Sequence, residues 1–218
     1  MEHKPFLTNL TENQIIIRDT IRDFAEKNIR PVIMEFDESQ KFPMELMKQL
    51  GALGFLGILV PEEYGGAGLG YIEYAIIIEE LSKVDPSIGL SVAAHNGLCT
   101  NHINLFGNEI QKIKYLPDLA SGKKIGAWGL TESFSGSDAA SLKSMAIKNG
   151  DYWILNGSKQ FTTHGTVGET YVVMAITNKD AGKKGISAFI LEKGMDGLIV
   201  GKKENKLGMR ASDTTQLT

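Results

Sequence analysis

Residues 126–138, GAWGLTESFSGSD, set Thr131, Glu132, Ser133, Ser135, Ser137 and Asp138 directly behind an apolar run of Ile125, Ala127, Trp128 and Leu130. Hydroxyls and glycine N–H groups at the end of a strand make a tight β-turn, or they hold the oxygens of a polar ligand without adding a full positive charge. A second hydroxyl-rich stretch, LNGSKQFTTHG at 155–165, has the same two readings. Other candidates carry less. EEYGGAGLGY at 62–71 suggests a phosphate-binding glycine loop, but Tyr71 stands where G-x-G-x-x-G counted from Gly66 needs its last glycine. Pro61 and the helical surroundings supply no βαβ unit, so the segment is expected to be a tight surface loop. His95 and His102 lie about two helical turns apart with Glu79 and Glu80 nearby, yet no third ligand stands at a fixed spacing, and packed or solvated histidines are expected. Cys99 is the single cysteine, which excludes an intrachain disulfide and leaves it a packing role.

The elements that must position these residues follow from periodicity. TENQ at 11–14 has the form of a capping box, and Ile17, Ile21, Phe24 and Ala25 then share one helical face. Pro31 and Pro43 punctuate a second and a third helix, the third carrying Leu46, Met47, Leu50 and Leu53 before Gly54 and Gly57 end it. Longer helices are expected over about Tyr71 to Lys83 and Ser87 to Phe106. A last one carries Ile110, Ile113, Leu116 and Leu119, with Gly122 as its stop. Beyond residue 122 the period becomes two. KIGAWGLT, DYWILNG, ETYVVMAIT, GISAFILEK and GLIVGKK are short β-branched and aromatic runs, with hairpin-type turns expected at Asn149-Gly150 and Asn156-Gly157. An all-helical half followed by an antiparallel β half makes the fold class α+β. The chain stops in mid-alternation at SDTTQLT, which reads as a cut inside a larger protein.

Composition limits the function. A chain of 218 residues with 42% apolar content buries a real core, and a formal charge of -3 gives no field for nucleic acid or anionic lipid. The polar start MEHKPFLTNLTENQ lacks the apolar block of a signal peptide, and no apolar stretch is long enough to span a bilayer, so a cytoplasmic protein off the membrane is expected.

GLTESFSGSDAAS resembles the hallmark segment of the acyl-CoA dehydrogenases, in which a small-apolar-Thr-Glu run is followed by a small residue, Gly, Ser and Asp. LFGNEIQKIKYLPDLASGKK, EEYGGAGLG and IEELSKVDPSIGL are similar to that family's preceding helices and loops. LNGSKQFTTHG and KLGMRASDTTQL are similar to two of its later strands, and the resemblance covers essentially the whole chain.

The resemblance implies an N-terminal helical domain over residues 1–122 and an antiparallel, β-barrel-like middle domain over 123–218, cut before a C-terminal four-helix domain. It implies FAD as cofactor, with Trp128, Leu130 and Thr131 along the flavin and Gly136 with Ser137 near the pyrophosphate. Phe161, Thr162 and Thr163 would face the flavin from the second segment. Ser137, Leu90, Ser91 and Ala94 would meet the acyl-CoA substrate, and Lys183 and Lys184 either reach the CoA phosphates or form a solvated pair. No metal is implied. The reaction implied is α,β-dehydrogenation of a saturated acyl-CoA to the trans-2-enoyl-CoA. Electrons would pass to an electron-transfer flavoprotein, and the complete protein would be a homotetramer. No carboxylate here matches the family's general-base glutamate, which is expected beyond residue 218, so these residues alone should be inactive; Glu132 is expected to brace its loop. Ser133, Phe134, Phe161 and His164 depart from the family's usual residues and leave the substrate class open. An acyl-CoA oxidase, a glutaryl-CoA-type dehydrogenase and a non-catalytic acyl-CoA-binding or assembly module are the alternatives.

Overall fold

The computed structural model describes residues 9–218, so the first eight residues of the polar leader lie outside the described residues. Helix α1 (Glu12–Phe24) begins on the capping box: Gln14 N donates to Thr11 Oγ1 at 3.2 Å and Thr11 N donates to Gln14 Oε1 at 3.0 Å. These two bonds satisfy backbone donors that the first helical turn leaves orphaned. The helix widens into a π-turn at Ala25–Ile29 and is followed by α2 (Ile33–Ser39), α3 (Met44–Ala52) and α4 (Tyr71–Val84). Between α3 and α4 the glycine loop folds back on the preceding backbone, with Ala67, Gly68 and Leu69 N–H groups donating to Gly57, Val60 and Ile58 carbonyls.

Asp85 then caps α5 (Pro86–Ala93) by accepting from Ile88 N at 2.9 Å, with Pro86 in the first turn where its missing N–H costs nothing. The helix expected from Ser87 to Phe106 runs on through a π-helical segment, Ala94–Thr100, into α6 (Asn101–Phe106). Helix α7 (Glu109–Ala120) stops at Gly122, whose φ of 71° a side chain would resist. Three expected core positions are corrected. Leu53 is half exposed because it already belongs to the turn out of α3, and Ile110 and Ile113 are exposed because only the later part of α7, through Leu116 and Leu119, packs on the sheet.

The strands are β1 (Gly126–Gly129), β2 (Met145–Asn149), β3 (Tyr152–Asn156), β4 (Lys159–Thr163), β5 (Thr170–Ile176), β6 (Ile186–Glu192), β7 (Val200–Lys203) and β8 (Thr214–Leu217). They form a five-stranded sheet centred on β5 and a three-stranded sheet in the order β4-β8-β7. The expectation of purely antiparallel pairing is corrected, because β1 and β2 both run parallel to β5. Asn149-Gly150 does turn the β2–β3 hairpin. Asn156-Gly157 instead carries the chain from β3 in one sheet to β4 in the other, so it is a crossing and not a hairpin.

The helical core of Ile21, Leu50, Leu56, Ile77, Leu81 and Ile88 includes Ile125 and Ala211 from the second half. A second cluster joins Cys99, Ile103, Leu116 and Leu119 to Val172 of β5. Cys99 is fully buried there, and burial pushes its thiol pKa up to about 12. Among the described residues no helix is long and apolar enough to cross a membrane.

Candidate functional site

Strand β1 opens into a loop that Glu132 organises. Glu132 and Ser135 exchange backbone hydrogen bonds of 2.8 and 3.1 Å, closing a tight turn with Ser133 and Phe134 at its tip. The Glu132 carboxylate is buried and accepts from Lys143 N at 2.6 Å, Ser144 N at 3.0 Å and Lys159 Nζ at 2.6 Å. Burial alone would raise its pKa. The hydrogen bonds from Lys159 and Ser144 and from the backbone outweigh burial and hold it at about 2. Lys159 is just as buried; desolvation lowers its pKa, and Glu132 opposes that shift. Its ammonium also donates to Leu130 O at 3.2 Å, so one ion pair ties the loop, the exit of β1 and the start of β4 together.

Beside this brace lies a cavity of about 170 Å³ lined by Ala94, Leu98, Trp128, Leu130, Thr131, Gln160, Phe161 and Thr163. Its walls are the π-helical segment, the end of β1 and strand β4, and Gln160 N donates to Thr131 O at 2.7 Å across two of them. Among the described residues the Trp128 indole N–H is buried without a hydrogen-bond partner, a donor that an incoming acceptor would satisfy. Phe161 holds φ at 54° in a bulge between β4 and β8, and its ring stays two-thirds exposed at the cavity mouth. Six of the residues picked out in the sequence therefore meet in one place. Thr162, between two lining residues, is buried on the other face of β4. Gly136 and Ser137 are exposed on the outer part of the loop. Leu90 and Ser91 lie outside the lining, and the Ser91 hydroxyl donates to Ser87 O at 2.8 Å, within its own helix.

Leu98 and Gln160 line the cavity but carry no sequence signal beyond their neighbours' motifs. His95 and His102 do not converge on a common ligand. Both His95 nitrogens are engaged, accepting from Gly126 N and donating to Leu119 O, while His102 packs against Phe106 and Trp128. Lys183 and Lys184 are exposed in the connection between β5 and β6. A larger cavity of about 390 Å³ opens between the two sheets, lined by Trp153, Leu155, Val173, Leu191 and Leu217 among others and by none of the predicted site residues.

Residues 11–123 match the family model of the acyl-CoA dehydrogenase N-terminal domain, and residues 127–218 match that of the acyl-CoA dehydrogenase middle domain. The chain belongs to the acyl-CoA dehydrogenase family. It is 49% identical over 209 residues to the short-chain specific acyl-CoA dehydrogenase of Clostridium acetobutylicum, covering 96% of this chain and 55% of that protein. Butyryl-CoA dehydrogenase from Megasphaera elsdenii superposes with a TM-score of 0.91 at 41% identity, over 96% of this chain and 56% of that one. A chain from a structure of the electron transferring flavoprotein of Acidaminococcus fermentans superposes with a TM-score of 0.92 at 48% identity, over 96% of this chain and 55% of that one. The chain spans about half the length of the curated relatives it matches. The Glu132 brace lies within the residues matched to the middle domain, whereas the cavity beside it is lined from both matched domains, by Ala94 and Leu98 of the first and by residues of the second.

Proposed function

We propose that residues 1–122 and 123–218 are the first two domains of an FAD-dependent acyl-CoA dehydrogenase that converts a saturated acyl-CoA thioester to its trans-2-enoyl product. The observation that carries this reading is the cavity itself, where Trp128, Leu130 and Thr131 from one motif meet Phe161 and Thr163 from the other, with Ala94 of the helical half. These residues fit a flavin. Aromatic and apolar faces flank hydroxyls, and the partnerless Trp128 N–H is a ready donor to a ring carbonyl or nitrogen. FAD held there would accept the hydride that leaves the substrate's β-carbon.

In this proposal Thr131 and Thr163 orient the flavin edge, Phe161 and Trp128 flank it and exclude water, and Gly136 and Ser137 meet the pyrophosphate and the CoA ester. Thr162 supports β4 from behind. Leu90, Ser91 and Ala94 shape the inner end of the acyl site. The buried carboxylates are unsuited to take the substrate proton, because Glu132 is ion-paired to Lys159, Glu80 to Arg22 and Lys83, and Asp213 accepts from the Thr166 and Val167 N–H groups and the Thr166 hydroxyl. We place the general-base glutamate beyond residue 218. A cytoplasmic homotetramer that passes electrons to an electron-transfer flavoprotein completes the reading, supported for that partner by the likeness to the Acidaminococcus fermentans structure.

The test is the protein expressed from its complete coding sequence. It should purify yellow, and saturated acyl-CoA added without oxygen should bleach the flavin absorbance. Rapid reoxidation by oxygen would point to an oxidase, bleaching confined to dicarboxylic acyl-CoAs to the glutaryl type, and acyl-CoA binding without bleaching to a non-catalytic module. A colourless protein with no spectral change on FAD titration overturns the proposal.

A further inference from the structure

The three walls of the cavity are joined at a residue outside it. Gly126, the first residue of β1, donates its N–H to His95 Nδ1 at 3.0 Å and accepts from His164 Nδ1 at 2.9 Å. His95 directly follows Ala94 of the helical wall, and His164 directly follows Thr163 of the β4 wall. Neither ring lines the cavity, and both are fully buried.

The partners assign each proton. Because Gly126 N–H points at His95 Nδ1, the His95 proton sits on Nε2, which donates to Leu119 O at 3.0 Å. On His164 the proton sits on Nδ1 and faces Gly126 O, while Nε2 is buried without a partner among the described residues. A second proton fits neither ring. On His95 it would meet the Gly126 N–H donor to donor, and on His164 it would be a buried donor with nothing to bond. The glycine is confined as well, since a Cβ on Gly126 would lie 2.8 Å from both Cys99 Cβ and Sγ.

We propose that His95 and His164 are positioning residues, a two-sided clamp on the backbone N–H and C=O of Gly126 that sets β1, and with it Trp128 and Thr131, relative to Ala94 and Thr163. This rests on the flavin reading of the cavity. The groups facing the clamp favour neutral rings. Burial and the neighbouring His164 lower the His95 pKa to about 4 against the opposing backbone hydrogen bonds, and burial also lowers that of His164, with the hydrogen bond to Gly126 and then Asp213 opposing and Lys206 adding to the shift, while Phe42 packs its edge on the ring.

The experiment compares His164→Ala with His164→Asn in the complete flavin-loaded protein. Alanine removes the donor to Gly126. Asparagine keeps an amide donor and tolerates the His164 φ of 64°. His164→Ala should weaken flavin binding roughly tenfold and shift the visible spectrum and reduction potential of the flavin at full occupancy; His164→Asn should restore all three. Parent-like affinity, spectrum and potential in His164→Ala overturn the clamp. Histidine-selective NMR of the parent gives a readout independent of flavin and of how the variants fold. Neutral rings with the proton on His95 Nε2 and His164 Nδ1 are expected at neutral pH, and a charged ring or the opposite tautomer on either residue overturns the proposal. A parent that binds no flavin defeats the cofactor reading alone and leaves the tautomers to decide the clamp.

Discussion

Glu132 is the carboxylate most easily mistaken for a catalytic base, since it stands in the hydroxyl-rich segment beside the cavity. Its three short contacts argue otherwise: a carboxylate held at a pKa of about 2 by Lys159, Ser144 and the backbone is a poor proton acceptor near neutral pH. Glu132→Gln leaves the Lys159 ammonium buried without its counter-charge. It should cost about 3–5 kcal/mol of stability, read from urea unfolding, while flavin-saturated turnover changes far less than the roughly 10²–10⁴-fold loss of a removed general base. A catalytic loss of that size in a stable, flavin-saturated variant would reassign the residue. The sequence marks Glu132 through its place in the motif. Its partner Lys159 stands in the second hydroxyl-rich stretch, 155–165, but nothing in the spacing says that the two pair, because the ion pair exists only once β4 has crossed to the second sheet.

Elements defined by local chemistry are the most legible. The capping box at Thr11 and Gln14, the proline breaks and the glycine stop at Gly122 all act within a few residues, so the chain states them directly. Thr11→Ala should therefore cost about 1 kcal/mol, seen as a lower urea midpoint with an unchanged slope; an unchanged midpoint would mean that α4, which packs on α1, holds the helix without its cap. Strand direction is not local. Period-two alternation is the same for a parallel and an antiparallel neighbour, which is why the pairing of β1 and β2 with β5 escapes it. Asn156-Gly157 shows a turn but not which strands it joins. The π-helical segment at Ala94–Thr100 changes the helical register locally, too little to disturb an apolar pattern read over several turns, so the sequence shows one long helix there.

At the scale of the whole molecule, the helical and β halves share cores, and the buried groups at their junction make stability depend on acid. An unfolded His95 takes up a proton below its ordinary pKa of 6.5, whereas the folded ring stays neutral down to about 4. The unfolded state thus binds more protons in that window, and stability falls as pH drops through it, by on the order of 3 kcal/mol in all. Glu132 acts in the same direction lower down, its contribution fading from about pH 4.5 toward about 2 as the carboxylate is protonated. Urea midpoints should be lower at pH 5 than at pH 7, and a flat profile between them would show that His95 is not buried neutral. The sequence foretells two halves, but not that a few side chains such as His95 couple them, because that coupling joins residues more than twenty positions apart. Cys99 lies in the same seam, packed against Gly126 and with its Sγ 3.6 Å from Thr170 O. Sealed from solvent and unwilling to ionise, the chain's one thiol reacts with an alkylating reagent only when helix and sheet part. Its labelling rate, set against that of the denatured chain, is a built-in clock for how often the two halves come undone.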